Sequence, residues 1–288
     1  MSELTFSVDS ALLSELGEKL VESPHIALVE LVKNAYDADA TSVTVKIRFT
    51  STGPDIQIAD NGSGMTFQEV EKYWMRIATT HKTNNNLSPR YGRPRTGSKG
   101  IGRFACRRLG TNLHLDTTAQ KGNSFEQTTV FFPWLEFVAG GDITEIGCEG
   151  EKQTLKNSKA GTILTITGGL DDQWDRRGYN YLKRQLAVLT ANRGSRRKGF
   201  EDDPGFKVKL EAPGFEDPIE NLRDDLLTAG WGDLSIEVKK GGTVTYKLDA
   251  MKVGQKTINH PEKLPALESV TAKIGIMPSY TRDELRRK

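Results

Sequence analysis

Residues 23–40 read SPHIALVELVKNAYDADA. Ser23-Pro24 is a helix start: serine serves as N-cap, and proline sits at the first helical position, where an N–H would have no partner anyway. The spacing predicts a helix running to about Ala38. At ~3.6 residues per turn, Glu30, Asn34 and Asp37 share one face, because they lie four and three positions apart. Leu28, Leu31, Val32 and Ala35 take the opposite face. A solvated face more often carries Lys and Glu in i,i+4 pairs. A carboxylate, an amide and a second carboxylate aimed into one space can instead place a base and a metal ligand beside a single ligand.

Downstream, SVTVKIRF (42–49) alternates Val43, Val45, Ile47 and Phe49 with polar residues, the pattern of a half-buried strand. A Gly53-Pro54 turn leads into DIQIAD (55–60), so the two strands are expected to form an antiparallel hairpin. The second strand ends in Asp60-Asn61-Gly62-Ser63-Gly64-Met65. A carboxylate at a strand end followed by two glycines suits a planar ligand: it can accept from an exocyclic amine while the glycines admit a ring. The same residues also suit a plain strand-to-helix turn. Thr66-Phe67-Gln68-Glu69 is a capping-box pattern opening another helix, with Val70, Tyr73, Trp74 and Ile77 on its apolar side.

From Ala78 to Lys99 no period is visible, and a polar loop of this length reads as a lid or binding loop. Gly97-Ser98-Lys99-Gly100-Ile101-Gly102-Arg103 then enters a short helix. Glycines at a helix entrance expose N–H groups where the helix dipole favours an anion, so this stretch reads as a phosphate cradle. A P-loop does not fit, because its Lys and Ser stand in the wrong order. A dinucleotide fingerprint lacks its preceding strand. Further strands are expected at 111–117, 127–132 and 162–167, the last entered through Gly161-Thr162. Helices are expected at 9–20 and 176–192.

The chain has 288 residues and a formal net charge of +2. That length suits one large domain or two ordinary ones. ANRGSRRKGFEDDPGF (191–206) reads as a boundary, dividing 1–195 from a shorter segment, 196–288, that looks incomplete for a second domain. Arg90, Arg93, Arg95, Lys99, Arg103, Arg107 and Arg108 crowd together with no acid among them, a pattern that seeks an anion. Two cysteines make no disulfide framework. No export signal and no apolar run of ~20 residues is visible, so a reducing cytoplasm is the expected compartment, with no membrane.

The order of these boxes, VELVKNAYDADA, IADNGSGM, GSKGIGRFA and AGTILTITG, resembles the GHKL (Bergerat-fold) superfamily, which includes DNA gyrase, the ninety-kilodalton heat-shock chaperone, histidine kinases, MutL and the MORC ATPases. The resemblance covers about residues 10–190. It implies an α+β fold: a two-layer sandwich of a mixed, mostly antiparallel sheet with helices on one face. It also implies ATP and Mg²⁺ as ligands. Glu30 would activate the attacking water and Asn34 would ligate the metal, with Asp37 in support. Asp60 would bind the adenine amine, helped by Thr162, while Gly62, Gly64 and Met65 line the base. Gly97, Gly100, Ile101 and Gly102 would cradle the phosphates, with Lys82 and Lys99 as further contacts. The family reading is a slow ATPase whose lid closure promotes homodimerisation as a switch. The alternative is a non-hydrolysing ATP sensor in a larger nucleic-acid-associated or defence complex, contacting protein or nucleic acid through the basic lid and the 193–198 loop. Gln255-Lys256-Thr257 matches the second-domain lysine loop of some relatives over three residues only.

Overall fold

The structure, a computed structural model, describes residues 9, 23–51, 53–76, 86–95, 105–137, 141–142, 147–169, 174–190, 197–214, 219, 221–222, 232–250, 254–261, 263 and 270–276. The chain divides into two compact units, Met1–Leu222 and Arg223–Lys288.

The first unit is built on a seven-stranded sheet in the order β5-β4-β3-β6-β2-β1-β7. Its strands are β1 (Ser42–Thr50), β2 (Gly53–Asp60), β3 (Asn112–Lys121), β4 (Ser124–Pro133), β5 (Gly150–Leu155), β6 (Gly161–Thr167) and β7 (Lys207–Glu211). Every pairing is antiparallel except β1 with β7. One face carries the alternating apolar residues, including Val43, Val45, Ile47, Ile56, Ile58, Leu113, Leu115 and Ile166, all buried. Against it pack α1 (Pro24–Asp37), α3 (Ala105–Leu109) and α4 (Arg176–Thr190). Leu28, Leu31, Val32 and Ala35 of α1, and Leu182 and Leu186 of α4, fill the interface. Truncating any one of these leucines to Ala costs about 2–5 kcal/mol, the usual cavity penalty. The opposite face is polar, tied by Gln127 Nε2 donating to both Asp116 oxygens at 2.8 and 2.9 Å. This is the α+β sandwich that the boxes imply.

The start of α1 follows the sequence closely: Ser23 Oγ accepts from Ile26 N–H at 3.3 Å, and Pro24 occupies the first turn. The helix after Thr66 does not. Its capping box forms, but α2 is one turn, Phe67–Glu69, which widens at once into a π-helical turn, Val70–Trp74. Only Val70 of that turn is buried, so little packing holds a longer helix there. Strand β5 had no expected counterpart, and its residues are nearly all exposed, which leaves no apolar alternation to read.

The expected division at 195/196 lies inside the first unit. Residues 197–206 pack on it, and β7 adds to its sheet beside β1. A parallel neighbour needs a crossover connection, and α4 with the 197–206 stretch supplies the chain for it. In the second unit β8 (Gly232–Val238), β9 (Val244–Ala250), β10 (Gly254–Asn259) and β11 (Val270–Ile276) form an antiparallel sheet, ordered β10-β9-β8-β11. Gln255-Lys256-Thr257 lies on β10, where Gln255 bonds Asp249 at 2.8 Å, and so belongs to a strand rather than a loop. Among the described residues no helix is long and apolar enough to cross a membrane.

Candidate functional site

Helix α1 brings its three polar residues to one face, as the spacing requires. Glu30 is about a third exposed and is bonded at 2.7 Å to Lys33, one turn away. Asn34 is half-buried and Asp37 buried. An amide oxygen is a hard donor of the kind Mg²⁺ accepts. Among the described residues no group of three or more His, Cys, Asp or Glu side chains could hold a metal. The donor set therefore fits a metal held by one or two protein ligands together with phosphates and water, and does not fit an all-protein cage.

Asp60 ends β2 directly opposite Thr162 of β6. Its Oδ1 accepts from Gly62 N–H at 2.8 Å. Burial pushes its carboxyl up to about 6, against the backbone N–H groups of Gly62 and Thr162, which pull it down. A carboxylate that has lost water and gained only backbone partners still has accepting capacity, which is the condition for reading an amine. Asn61 fixes the turn: its Oδ1 accepts from Thr41 and Ser42 N–H, both at 2.9 Å. Ser63 N–H donates to Ala38 O at 2.9 Å, tying the turn to the end of α1.

The two glycines of this turn have a reason beyond ligand access. Gly64 has φ +64°, and a Cβ there would lie 1.8 Å from Thr118 O; a Cβ on Gly62 would lie 2.7 Å from Ala38 O. Both side-chain directions are filled by the protein's own backbone. Met65 N–H donates to Thr117 Oγ1 at 2.9 Å, and Thr117 Oγ1 lies 3.0 Å from Thr162 Oγ1. Thr117 was not singled out by its sequence. The signal was a polar residue at an inward position after Leu113 and Leu115.

Residues 86–95, the middle of the expected lid, form a built knot. Ser88 N–H donates to Arg93 O, and Arg93 N–H to Ser88 Oγ, both at 2.9 Å. Asp39, at φ +60° and buried, accepts from the N–H groups of Arg90 and Tyr91 at 2.8 and 3.3 Å. The Arg93 side chain is 2 % exposed and forks onto Asp203 at 2.6 and 2.9 Å. Its other donors reach Ala40 O at 2.5 Å and Gly205 O at 3.1 Å, and its guanidinium lies over Tyr36 and Tyr91 at 4.8 and 4.9 Å. Arg90 pairs with Glu201 at 2.9 Å, and Arg107 donates to Trp134 O at 2.6 Å. The acids missing from the arginine-rich stretch thus come from residues 201–203, which pair with Arg90 and Arg93.

His25, in the first turn of α1, is buried against Trp174 with ring centroids 4.7 Å apart. Lys82, Gly97, Lys99, Gly100, Ile101 and Gly102 lie outside the described residues, as do Ile77, Arg103, residues 10–20 of the expected helix 9–20 and residues 193–196 of the basic loop; Asp9 forms an isolated bridge with Asp142.

A family model described as "Histidine kinase-, DNA gyrase B-, and HSP90-like ATPase" matches residues 21–162, a span that holds α1, the Asp60 turn and Thr162. Among curated proteins, the chain is 37% identical over 103 residues to "Putative type II restriction enzyme HgiDII" of Herpetosiphon aurantiacus, covering 36% of this chain and 16% of that protein. It is 31% identical over 81 residues to the DNA mismatch repair protein MutL of Macrococcus caseolyticus, covering 28% of this chain and 13% of that one. With MutL of Halobacterium salinarum it is 26% identical over 236 residues, 81% of this chain and 31% of the relative. The match therefore spans less than a third of the length of each of these relatives.

Proposed function

Because the chain belongs, through residues 21–162, to the family of histidine kinase-, DNA gyrase B- and HSP90-like ATPases, we propose that it binds ATP at Asp60 and Thr162 and hydrolyses it slowly, with Mg²⁺, as a conformational switch. The observation that carries this reading is Asp60 itself. Its carboxyl is raised to about 6 by burial, yet is still ionised at neutral pH, and among the described residues it is bonded only to backbone donors of its own turn and of β6. Such a group can take the exocyclic amine of adenine. Asp60→Asn removes the charge and reverses one donor, and should abolish ATP binding in a calorimetric titration; unchanged affinity removes the base-site assignment.

Phosphoryl transfer asks a protein mainly for positioning and charge neutralisation. Glu30 accepts the proton of the attacking water on the face of α1 that also carries Asn34. Lys33 occupies one Glu30 oxygen and leaves the carboxylate held on that face. Asn34 holds Mg²⁺, which supplies charge neutralisation at the phosphates when bound. Glu30→Ala should bind ATP normally and lose hydrolysis by about two orders of magnitude or more. A mutant that releases phosphate as fast as wild type sinks the assignment of the base.

Nucleotide-dependent closure of residues 78–99 and homodimerisation complete the reading. Since 86–95 are tied to Asp39, just past α1, and to residues 201–205, closure must pivot about this knot or release it. A non-hydrolysable ATP analogue should shift the protein to a dimer in light scattering, and a monomer at saturating analogue argues against the switch. A second reading, an ATP-sensing module in a nucleic-acid-associated complex, is favoured by the names of the relatives, a restriction enzyme and MutL. Exposed Arg197 and Lys198 are cations it could use. DNA binding that weakens steeply with salt, without measurable hydrolysis, selects this second reading.

A further inference from the structure

A row of polar side chains crosses the apolar layer of the sheet at one level. Asp60 of β2 lies opposite Thr162 of β6, Thr162 opposite Thr117 of β3, and Thr117 opposite Thr128 of β4. Thr117 is fully buried, while Thr162 and Asp60 are half-buried. A threonine hydroxyl has one hydrogen to give and two lone pairs. One lone pair of Thr117 is taken by Met65 N–H at 2.9 Å. Its hydrogen has two acceptors within reach: Thr162 Oγ1 at 3.0 Å and Gly161 O at 3.4 Å. Hydroxyl-to-oxygen bonds centre near ~2.8 Å and weaken with length, so of the two acceptors Thr162 is the better placed, in a contact across which either hydroxyl can donate. Thr128 does not compete, because its buried hydroxyl has no partner among the described residues.

We propose that Thr117 is a positioning residue for nucleobase selection: by donating to Thr162 it turns the Thr162 hydroxyl hydrogen outward, toward the base, and so favours adenine over hypoxanthine. This rests on the reading of Asp60 and Thr162 as the base-binding pair. The chain of donors runs Met65 N–H, Thr117, Thr162, ligand, and each bond polarises the next. Adenine offers an amine to Asp60 and a bare ring nitrogen beside it, which needs a donor. Hypoxanthine carries a hydrogen on that nitrogen and an oxygen in place of the amine. A Thr162 hydroxyl that is held as a donor matches the first and opposes the second. Freed from Thr117, the same hydroxyl can turn to either role.

The test titrates wild type, Thr117→Val and Thr117→Ser with non-hydrolysable ATP and inosine triphosphate analogues, alongside thermal unfolding. Wild type should prefer the adenine ligand. Thr117→Val should lose about tenfold in affinity for it, the effect of one hydrogen bond, with the inosine ligand changed less than about twofold. Thr117→Ser should restore the wild-type ratio. Equal losses for both ligands, or an unchanged ratio, overturn the proposal and leave Thr117 a packing residue. If Thr117→Val does not fold, Thr162→Val carries the same expectation, since it removes the hydroxyl through which Thr117 acts; an unchanged ratio there is equally fatal. Failure of the parent reading is visible separately. Wild-type protein that binds neither nucleotide, or Asp60→Asn protein that binds ATP normally, removes the base site and this proposal with it.

Discussion

Two aspartate-centred clusters flank the C-terminal end of α1, and they differ in whether the protein completes them. At the Asp60 turn the carboxylate accepts, among the described residues, from backbone N–H groups only, and burial holds it up at about 6. At the knot, burial also pushes Asp203 up, but the Arg93 hydrogen bonds, the Gly205 N–H and the Arg93 charge outweigh it and hold the carboxyl below its ordinary value. Both clusters touch the same helix end: Ser63 N–H donates to Ala38 O, and Arg93 donates to Ala40 O. An acid whose partner is an arginine of the same domain stabilises the fold, whereas one with backbone donors keeps accepting capacity.

Breaking the completed cluster should give the largest effect. Arg93→Ala strips a buried fork from Asp203, whose side chain is 8 % exposed, and leaves that carboxylate without its charge partner. Loss of one member of a buried pair costs about 3–5 kcal/mol. Urea unfolding should show it, and a loss below about 1 kcal/mol would mean that the knot is not a stabilising element. Asp203→Asn should fall in the same direction by less, because the amide can still accept from one donor.

The open cluster should respond with the opposite sign. The folded value of Asp60, about 6, lies above its ordinary 3.8, so the empty fold binds an extra proton between these limits. Stability from this group is greatest below about pH 4 and is lost as pH rises through 6, at a cost of about 2–3 kcal/mol by pH 7. Asp60→Asn should therefore raise the unfolding free energy of the nucleotide-free protein at pH 7 by about that amount while removing ATP binding. Asp203 has a depressed value, and its contribution is present above its ordinary value and fades as pH falls through the folded one. Melts from pH 4 to 7 on Asp60→Asn and Asp203→Asn should diverge; parallel curves would erase the distinction between the two clusters.

How much of this could be read beforehand depends on how local the cause is. Helix α1, the β1–β2 hairpin and Gly161-Thr162 at a strand start were legible, since caps, alternation and turn residues act over a few positions. The Asp60 turn was legible as a strand end followed by a glycine turn, but not the reason for its glycines, because Thr118 O and Ala38 O reach them from other parts of the chain. The knot was invisible for the same reason: Arg93 and Asp203 are separated by 110 residues. Without that partner, the arginines read as an anion-seeking cluster and residues 191–206 as a boundary. β5 lacked any apolar pattern, and β7 was read as part of the following segment because nothing within it names β1 as its neighbour.

Arg90 gives the smallest effect and the finest cut within the knot. It stands three positions from Arg93 and also pairs with an acid from the 201–203 stretch, so a count of ion pairs treats the two alike. Its side chain is 58 % exposed and that of Glu201 63 %, against 2 % and 8 % for the Arg93 pair. Water and salt already serve an exposed pair, and holding two long side chains together offsets much of the attraction. The contact between Arg90 and Asp39 uses the backbone N–H, which no substitution of the side chain removes. Arg90→Ala should therefore cost no more than about 0.5 kcal/mol, and that loss should vanish in ~1 M salt, while the Arg93→Ala loss persists. Urea melts of both variants at low and high salt measure the difference. A salt-resistant loss at Arg90 comparable to that at Arg93 would locate the stability of the knot in charge number rather than in burial. It would also return the arginine-rich stretch to the anion-binding role that its sequence suggests.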